Sequence, residues 1–460
     1  MARWMGVVRE ALAGGDRDYA AMDLRRAVVL LSIPMVLEMA MESLFALVDV
    51  FFVSRLGTDA VAVVGLAEGV MLLVYAISWG LAAGITAVVA RRIGEGDREG
   101  ATVAAVQGGL VAVAIGSVVA VPGLAYAGGL LQVMGASPAV GVLGKPFMAI
   151  MVGSNLVVLL LFAFNAIFRG AGNAAMAMRS LWLANGINIV LDPVLIFGLG
   201  PVPAMGVTGA AVATVIGRSA GVAYQCWHLF DGSGKIRVLR RHLVVAWPVL
   251  WTIVRLSAAG SAQFLISSAS WLFMVRIVAG FGSDAVAAYT IAVRIVVVSM
   301  LPGYGIANAA STLVGQNLGA GRPDRARRSA WMCSHFNAVY MGAAAVLFYL
   351  LAPWLIGVFA DGPEVLDIGV QALRIIGMGF FFYAYGMVLA QAFNGAGDAI
   401  TPVWLNLVCF WLVEIPLAWY LAQWLNGPEG VFLAIAISES LLALFCVLAF
   451  RKGNWQRVSV

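Results

Sequence analysis

The residues of this sequence most able to do chemistry are acidic side chains set inside long apolar segments. Glu38, Glu42 and Asp49 lie in the first such segment at spacings of four and seven residues, which places them on one face of a helix. An acidic residue in the hydrocarbon core costs about 2.5–3.5 kcal/mol, so such residues usually line a bundle interior or a water-filled path. We therefore expect this face to look inward, with Glu38 and Glu42 either bracing neighbouring helices or lining a substrate cleft.

A second polar group consists of Asn188 and Asp192, which are four residues apart and are followed by Pro193. Proline leaves the backbone carbonyl one turn earlier, near Ile189, without its helical hydrogen bond. Asp49 and Asp192 lie at similar distances from the ends of their segments, which predicts a similar depth. Two carboxylates, an amide oxygen and a carbonyl are hard ligands that suit Na⁺ or a proton. A hydrogen-bonded brace between the two helices is the other interpretation that these residues allow.

The remaining titratable residues show no comparable grouping. Glu68, Glu414 and Glu439 lack polar companions at helical spacing, and we interpret Glu414 and Glu439 as structural. The four cysteines and three histidines have no metal-ligand spacing, and the sequence has neither a catalytic triad pattern nor a phosphate-binding GxxxxGK[ST] loop. We predict that the chain is not an enzyme, has no cofactor, and draws energy from a gradient of H⁺ or Na⁺ rather than from ATP.

The elements that must position these residues follow from composition. Of the 460 residues 62% are apolar and 11% are charged, against about 45–50% and 25% in soluble domains. This excludes soluble enzymes, disordered chains and disulfide scaffolds. Because a helix needs about 20 apolar residues to cross a bilayer, the apolar windows predict twelve membrane-spanning helices. The predicted spans are 28–53, 62–90, 101–123, 141–167, 178–199, 205–229, 247–279, 285–311, 328–353, 367–393, 400–424 and 430–451.

The distribution of basic residues supports twelve spans. With that number, 21 of the 28 Lys and Arg residues fall on one side of the membrane, in the N-terminal arm, the loops after even-numbered spans and the C-terminal tail. Basic residues collect in cytoplasmic loops. We therefore predict that both termini are cytoplasmic, that the chain lies in the inner cell membrane, and that the basic excess does not serve nucleic-acid binding. The charged N-terminal residues are typical of a cytoplasmic arm rather than a cleaved signal peptide.

Three short sequences recur 225 residues later in the chain. Residues 57–62 (GTDAVA) return as 282–287 (GSDAVA), residues 168–173 (FRGAGN) return as 393–398 (FNGAGD), and Gly94 and Gly96 return as Gly319 and Gly321. Several matches at one offset indicate an internal repeat. Each half holds six spans, an even number, so the halves are related by an axis along the membrane normal. The predicted fold is an all-α polytopic membrane protein with two six-helix lobes around a central cavity, related by a pseudo-twofold axis.

This reading divides the chain into five parts. They are a cytoplasmic arm (1–27), an N-terminal lobe (28–229), a cytoplasmic linker (230–246), a C-terminal lobe (247–452) and a cytoplasmic tail (453–460).

Several of these features resemble the multidrug and toxic compound extrusion (MATE) family. The likeness rests on Pro34 and the VDVFFV segment at 48–53, on the GAGN loop at 170–173, and on Asn188 with Asp192 and Pro193. It covers nearly the whole chain. The resemblance implies a monomeric antiporter that exports cationic or amphiphilic drugs in exchange for H⁺ or Na⁺ by alternating access.

The resemblance also implies a particular cation site. One branch of the family places this site in the N-terminal lobe, and Asp49, Asn188 and Asp192 match its positions. Thr214 is the matching hydroxyl on the sixth span, and Ala210 offers a backbone carbonyl. Another branch uses acids on the seventh and tenth spans, where this chain has Ser267 and Tyr383. We therefore expect the N-lobe type of site.

The implied transport cycle bends the first helix near Pro34 when the cation binds. Methionine and aromatic side chains suit varied apolar cations, although contact with lipid or packing in the core accounts for about half of the candidates. The candidate cleft residues are Met35, Met39, Phe381, Phe382, Tyr383 and Tyr385. A lipid-linked oligosaccharide flippase is the alternative function, although such a protein would hold pyrophosphate with several cavity arginines. The few candidates for that role are Arg218, Arg255, Arg276 and Arg294.

Overall fold

The computed structural model describes residues 2–15, 17–231, 234–360 and 362–459. Within these ranges the chain is helical, and it contains no β-strand. Gly232 and Ser233 of the predicted linker and Asp361 lie outside the described residues.

Among the described residues, the N-terminal half contains nine α-helices. They are α1 (Ala2–Ala13), α2 (Leu24–Ser54), α3 (Thr58–Gly94), α4 (Arg98–Ala125), α5 (Ala127–Val133), α6 (Pro138–Gly153), α7 (Asn155–Gly170), α8 (Ala174–Phe197) and α9 (Val207–Asp231). Several begin at a residue whose side chain satisfies a free backbone N–H. Asp23 accepts from the amide of Arg26 at 3.1 Å, and Asp97 accepts from the amide of Gly100 at 2.7 Å. Helices α6 and α7 meet at Ser154 and together make one span.

The C-terminal half contains the other helices. They are α10 (Trp247–Val278), α11 (Ser283–Gly319), α12 (Pro323–Gly357), α13 (Pro363–Ala396), α14 (Ile400–Asn406), α15 (Ile415–Leu425) and α16 (Glu429–Lys452). A π-helix, Leu407–Glu414, joins α14 to α15, so these three segments form one continuous span. A π-helical segment is rare and frequently marks a functional site.

Twelve membrane spans account for the fold, as predicted. Ten helical stretches are long and apolar enough to cross a membrane. The other two spans are α2, which carries three acidic residues, and α9, which carries Arg218. Both exceed the about 20 residues that a crossing needs. Several helices run past their predicted ends; α11 reaches Gly319 rather than residue 311, because polar helix turns continue beyond the apolar window from which the end was predicted.

The internal repeat is visible in the backbone. Gly57 and Gly282 precede α3 and α11 with φ of 101° and 106°, and Gly172 and Gly397 follow α7 and α13 with φ of 87° and 88°. Positive φ is strained for residues with a Cβ. Glycine therefore recurs at these positions because each lobe makes the same turn at the same place.

The two lobes meet along the paired helices α2, α3, α10 and α11. At one end of this interface a Cβ added to Gly94 would collide with the carbonyl of Gln316, and one added to Gly319 would collide with the carbonyl of Arg91. These two contacts are 225 residues apart in each partner, so the interface is itself pseudo-symmetric. We call this end of the bundle, where α2 begins and α3 and α11 end, the basic end, since the clustered Lys and Arg residues lie there.

The N-terminal arm crosses the basic end and touches both lobes. Arg179 of α8 donates to the carbonyl of Leu12 at 2.6 Å, and Arg325 of α12 donates to the carbonyl of Tyr19 at 3.0 Å. Tyr19 is buried, and burial raises the pKa of its phenol. The lobes are therefore tied together at the basic end by the arm as well as by the glycine contacts.

Candidate cation-coupling site

Helices α8 and α9 bring four of the predicted site residues into one hydrogen-bonded chain. Asn188 Nδ2 donates to Asp192 Oδ1 at 3.3 Å and to Thr214 Oγ1 at 3.2 Å. Thr214 Oγ1 in turn donates to the carbonyl of Ala210 at 3.0 Å. All four residues are buried, and Asp192 has no exposed surface. The i, i+4 spacings on the two helices thus produce one continuous polar patch in the N-terminal lobe.

This patch contains two oxygens that no protein group satisfies. Asn188 Oδ1 and Asp192 Oδ2 are buried and have no hydrogen-bond partner among the described residues. A buried polar oxygen without a partner costs free energy, and more so when it carries charge. Both atoms are hard acceptors, so a proton or a monovalent cation between them would remove the cost.

Asp49 of α2 adds a second carboxylate to this region. It is half-buried and lies within electrostatic range of Asp192, of Glu68 on α3 and of Arg218 on α9. Helices α2 and α8 pack against each other, which brings the two aspartates to the same region, as their predicted depths require. The structure therefore assembles the predicted group of Asp49, Asn188, Asp192, Thr214 and Ala210 in one lobe.

Glu38 and Glu42 lie on the same side of α2 but have partners of their own. Glu38 is fully buried, and its Oε1 lies 3.3 Å from Nη1 of Arg169 on α7. Glu42 Oε2 accepts from Asn185 Nδ2 of α8 at 3.0 Å. The two glutamates thus link α2 to α7 and α8, which fits the bracing interpretation. Their predicted contact with substrate stays a prediction.

The sequence of this chain matches a known protein-family model. The MatE model matches residues 34–194 and, a second time, residues 261–420. The chain belongs to the MatE family. The two matched segments correspond to the two lobes, so the family model independently finds the internal repeat.

Individual MatE-family proteins are similar over nearly the full length. The "Probable multidrug resistance protein NorM" of Thermotoga maritima is 25% identical over 445 residues, which cover 95% of this chain and 94% of the relative. The "FAD transporter" of Shewanella oneidensis is 26% identical over 406 residues, covering 87% and 89%. A crystal structure described as MATE in complex with MaL6 superposes with a TM-score of 0.89 at 26% identity and covers 94% of this chain and 97% of that one.

Two buried arginines lie near these acids, and neither was assigned to the site from the sequence. Arg218 is buried, donates from Nη2 to the hydroxyl of Tyr75 at 3.2 Å, and lies over the rings of Phe45 and Tyr75. It is within electrostatic range of Asp49 and Glu42. The sequence does contain an indication that Arg218 lies near the site. It stands four residues after Thr214, so the two side chains share one face of α9. The sequence analysis considered Arg218 only as a ligand for pyrophosphate.

Arg169 lies at the junction of the lobes. It is buried with Glu38, and it borders a small cavity lined by residues of both lobes, among them Trp79, Asn308 and Gln391. The sequence analysis had placed Arg169 in a cytoplasmic loop, because it stands at the end of a predicted span. The structure instead places it in the last turn of α7, where its side chain turns inward to Glu38.

The predicted cleft residues separate into two groups. Met35, Met39 and Tyr383 are buried, and Tyr383 lies 3.5 Å from the hydroxyl of Tyr304. Phe381 and Phe382 are exposed, whereas Tyr385 is half-buried against Trp331 and His335. Pro34 is buried inside α2, which continues as a helix through it.

Proposed function

We propose that this MatE-family chain is a secondary antiporter that exports cationic or amphiphilic compounds in exchange for H⁺ or Na⁺. The observation that supports this most is a pair of buried oxygens, Asn188 Oδ1 and Asp192 Oδ2, which have no hydrogen-bond partner among the described residues. The relative from Thermotoga is named as a multidrug resistance protein, which supports export of drug-like molecules. Because the relative from Shewanella is named as an FAD transporter, the charge of the cargo is the point that the experiment must decide.

In the proposed cycle the cation neutralises the acidic group of the N-terminal lobe. Binding between Asp192 and Asp49 draws α2 towards α8 and α9, since the shared cation replaces repulsion between the two carboxylates with attraction. Pro34 is the point at which α2 can bend, because its backbone lacks one helical hydrogen bond. This movement would alter the wall of the path between the lobes and release the exported compound.

Whether the site binds Na⁺ or a proton depends on how many oxygen atoms coordinate the ion. Na⁺ needs several oxygens, which Asp49, Asp192, Asn188 and the Ala210 carbonyl can supply, whereas a proton needs only Asp192. Among the described residues no group of three or more His, Cys, Asp and Glu side chains could hold a metal ion. We propose further that the chain acts as a monomer in the inner membrane with both termini in the cytoplasm, and that it catalyses no reaction.

The test uses purified protein in proteoliposomes with separately imposed H⁺ and Na⁺ gradients. Ethidium serves as the cationic cargo and FAD as the anionic one. We expect gradient-driven ethidium transport by the wild type and its loss in Asp192→Asn. The matched control is Asp59→Asn, which changes an exposed carboxylate of the same lobe and should transport normally. Full ethidium transport by Asp192→Asn would refute the site, and transport of FAD but not ethidium would refute the proposed cargo.

The lipid-linked oligosaccharide flippase is not supported. The relatives are named as a probable multidrug resistance protein and an FAD transporter. Of the four candidate arginines, Arg218 is buried and donates to the hydroxyl of Tyr75. The other three are exposed, so the four do not form one buried pyrophosphate site; they are Arg255, Arg276 and Arg294.

A further inference from the structure

The C-terminal lobe contains a second pair of buried acids, Glu414 and Glu439. Each is 3% exposed, and the two carboxyls lie within electrostatic range of each other. Glu414 is the last residue of the π-helix and Glu439 lies in the middle of α16. The sequence analysis treated them as unrelated structural residues, because 25 positions separate them and nothing in either segment shows that the two helices pack together.

The two carboxyls have few hydrogen-bond partners. Ser270 of α10 donates from Oγ to Glu414 Oε2 at 2.6 Å. Glu439 Oε2 is buried and has no partner among the described residues. The hydroxyl of Tyr289 is also buried and unpartnered, although its ring stacks on Phe432 of α16 and it lies within electrostatic range of both glutamates. An unsatisfied hydroxyl and an unsatisfied carboxyl therefore lie in the same enclosed space.

No basic side chain balances these acids. In the part of the chain that the structure describes, neither carboxyl forms an ion pair with Lys, Arg or His. The titratable and polar groups that interact with them come from α10, α11, α13 and the π-helix, and from these elements only weak acids and a hydroxyl face the pair. They are Ser270, Tyr289, Tyr304, Tyr383 and Cys409.

Two buried carboxylates cannot both be ionised in such surroundings. An unpaired charge in a low-dielectric interior is strongly disfavoured, and a second like charge beside it is more so. Protonation removes the charge and supplies a donor, which can satisfy an oxygen of the neighbouring carboxyl or the hydroxyl of Tyr289. A proton needs only one of these carboxyls, whereas Na⁺ needs several oxygens arranged around it, so we assign the pair to a proton.

The position of the pair in the fold gives it a role. Helices α10, α14–α15 and α16 are the repeat counterparts of α2, α8 and α9, which carry the N-lobe site. We propose that Glu414 and Glu439 share an exchangeable proton and so form a second proton-binding site, at the place in the C-terminal lobe that corresponds to the cation site of the first. The π-helix that ends on Glu414 is the segment whose hydrogen bonds can rearrange as this proton enters or leaves.

The test measures proton uptake by the purified full-length protein in nanodiscs, without cargo, as the pH is lowered from alkaline to acid. Glutamine keeps the shape of glutamate and removes its titration. We expect the Glu414→Gln/Glu439→Gln double variant to take up about one proton fewer per chain than the wild type, since the coupled pair titrates as a unit. The control is Glu364→Gln, which changes an exposed residue of the same lobe and should leave the uptake assigned to the pair unchanged.

A second variant separates a proton site from a structural pair. Tyr289→Phe removes the unpartnered hydroxyl and leaves both acids in place. It should move the pH midpoint of the uptake assigned to the pair while leaving the number of protons unchanged. Infrared difference spectra should show a protonated-carboxyl band in the wild type that the double variant lacks. Equal uptake and an equal band in the folded double variant and the wild type would overturn the proposal.

This inference rests on the proposed function only in comparing the pair with the cation site of the N-terminal lobe, and the two fail separately. If the wild type moves neither ethidium nor FAD but the double variant still takes up fewer protons, the proposed function fails and the proton site stands. If the wild type transports ethidium and the uptake of the double variant is unchanged, the proton site fails and the proposed function stands.

Discussion

The two lobes have the same fold, but their buried acids differ in whether basic side chains lie beside them. In the N-terminal lobe the acids lie near two buried arginines, Arg169 and Arg218. In the C-terminal lobe Glu414 and Glu439 have no basic partner among the described residues. The arginines favour the ionised form of the N-lobe acids beside them, whereas protonation is the means of neutralisation that we propose for the C-lobe pair. A repeat preserves the position of a site without preserving its charge.

The variant with the largest expected effect tests this difference at the ion pair between Arg169 and Glu38 in the N-terminal lobe. Arg169→Gln leaves Glu38 buried without its partner, which should lower the stability by about 3–5 kcal/mol. Thermal unfolding in detergent measures the change. Arg276→Gln, at an exposed arginine of α10, is the control and should unfold like the wild type. If Arg169→Gln were equally stable, the arginine would not be what keeps Glu38 charged.

A sharper test of the comparison concerns Arg218. Its guanidinium lies near Asp49 and Glu42, so in the proposed mechanism it would compete with the coupling cation. Arg218→Gln removes that charge and should strengthen binding of H⁺ or Na⁺ by roughly tenfold, equivalent to about 1.4 kcal/mol. Calorimetric titration of the purified protein measures the affinity. Arg218→Lys keeps the charge and should change the affinity less; weaker binding by Arg218→Gln would show that Arg218 supports the site instead.

The smallest expected effect is at Thr214, which accepts a hydrogen bond from Asn188 and donates one to the Ala210 carbonyl. Thr214→Ala removes both bonds and should weaken cation binding by about 1 kcal/mol, the net value of an ordinary hydrogen bond. The same titration measures it. Thr214→Ser retains the hydroxyl and should restore the affinity. Equal weakening by serine and alanine would indicate that the lost methyl group, and not the hydroxyl, matters.

Most of the fold could be predicted from the sequence. Twelve spans follow from apolar length, and the repeat follows from short matches at one offset, which the backbone angles of Gly57 and Gly282 reflect. The helix ends were predicted less accurately, because the helices of this chain extend beyond their apolar segments into polar turns. The break at Ser154 and the π-helix Leu407–Glu414 were not predicted. The length of an apolar segment indicates a membrane span, but it does not indicate where the helix breaks or changes its hydrogen-bond pattern.

Part of the candidate site could likewise be predicted from the sequence, and part could not. Asn188 and Asp192 were found because their spacing alone places them on one helix face, and the structure joins them to Thr214. Arg169 was missed, and Glu414 and Glu439 were not paired, because those contacts depend on how distant helices rotate and pack against each other. Local periodicity predicts which side chains share a face, but it does not predict which faces meet.

The most direct test of the central claim is cation binding itself, measured by calorimetry on purified wild type, Asp192→Asn and Asp59→Asn in nanodiscs, with Na⁺ titrated at alkaline pH and protons titrated without Na⁺. We predict that Asp192→Asn loses the binding that the wild type and Asp59→Asn share, for whichever ion the wild type binds. Undiminished binding of that ion by Asp192→Asn would contradict a coupling site between α2, α8 and α9.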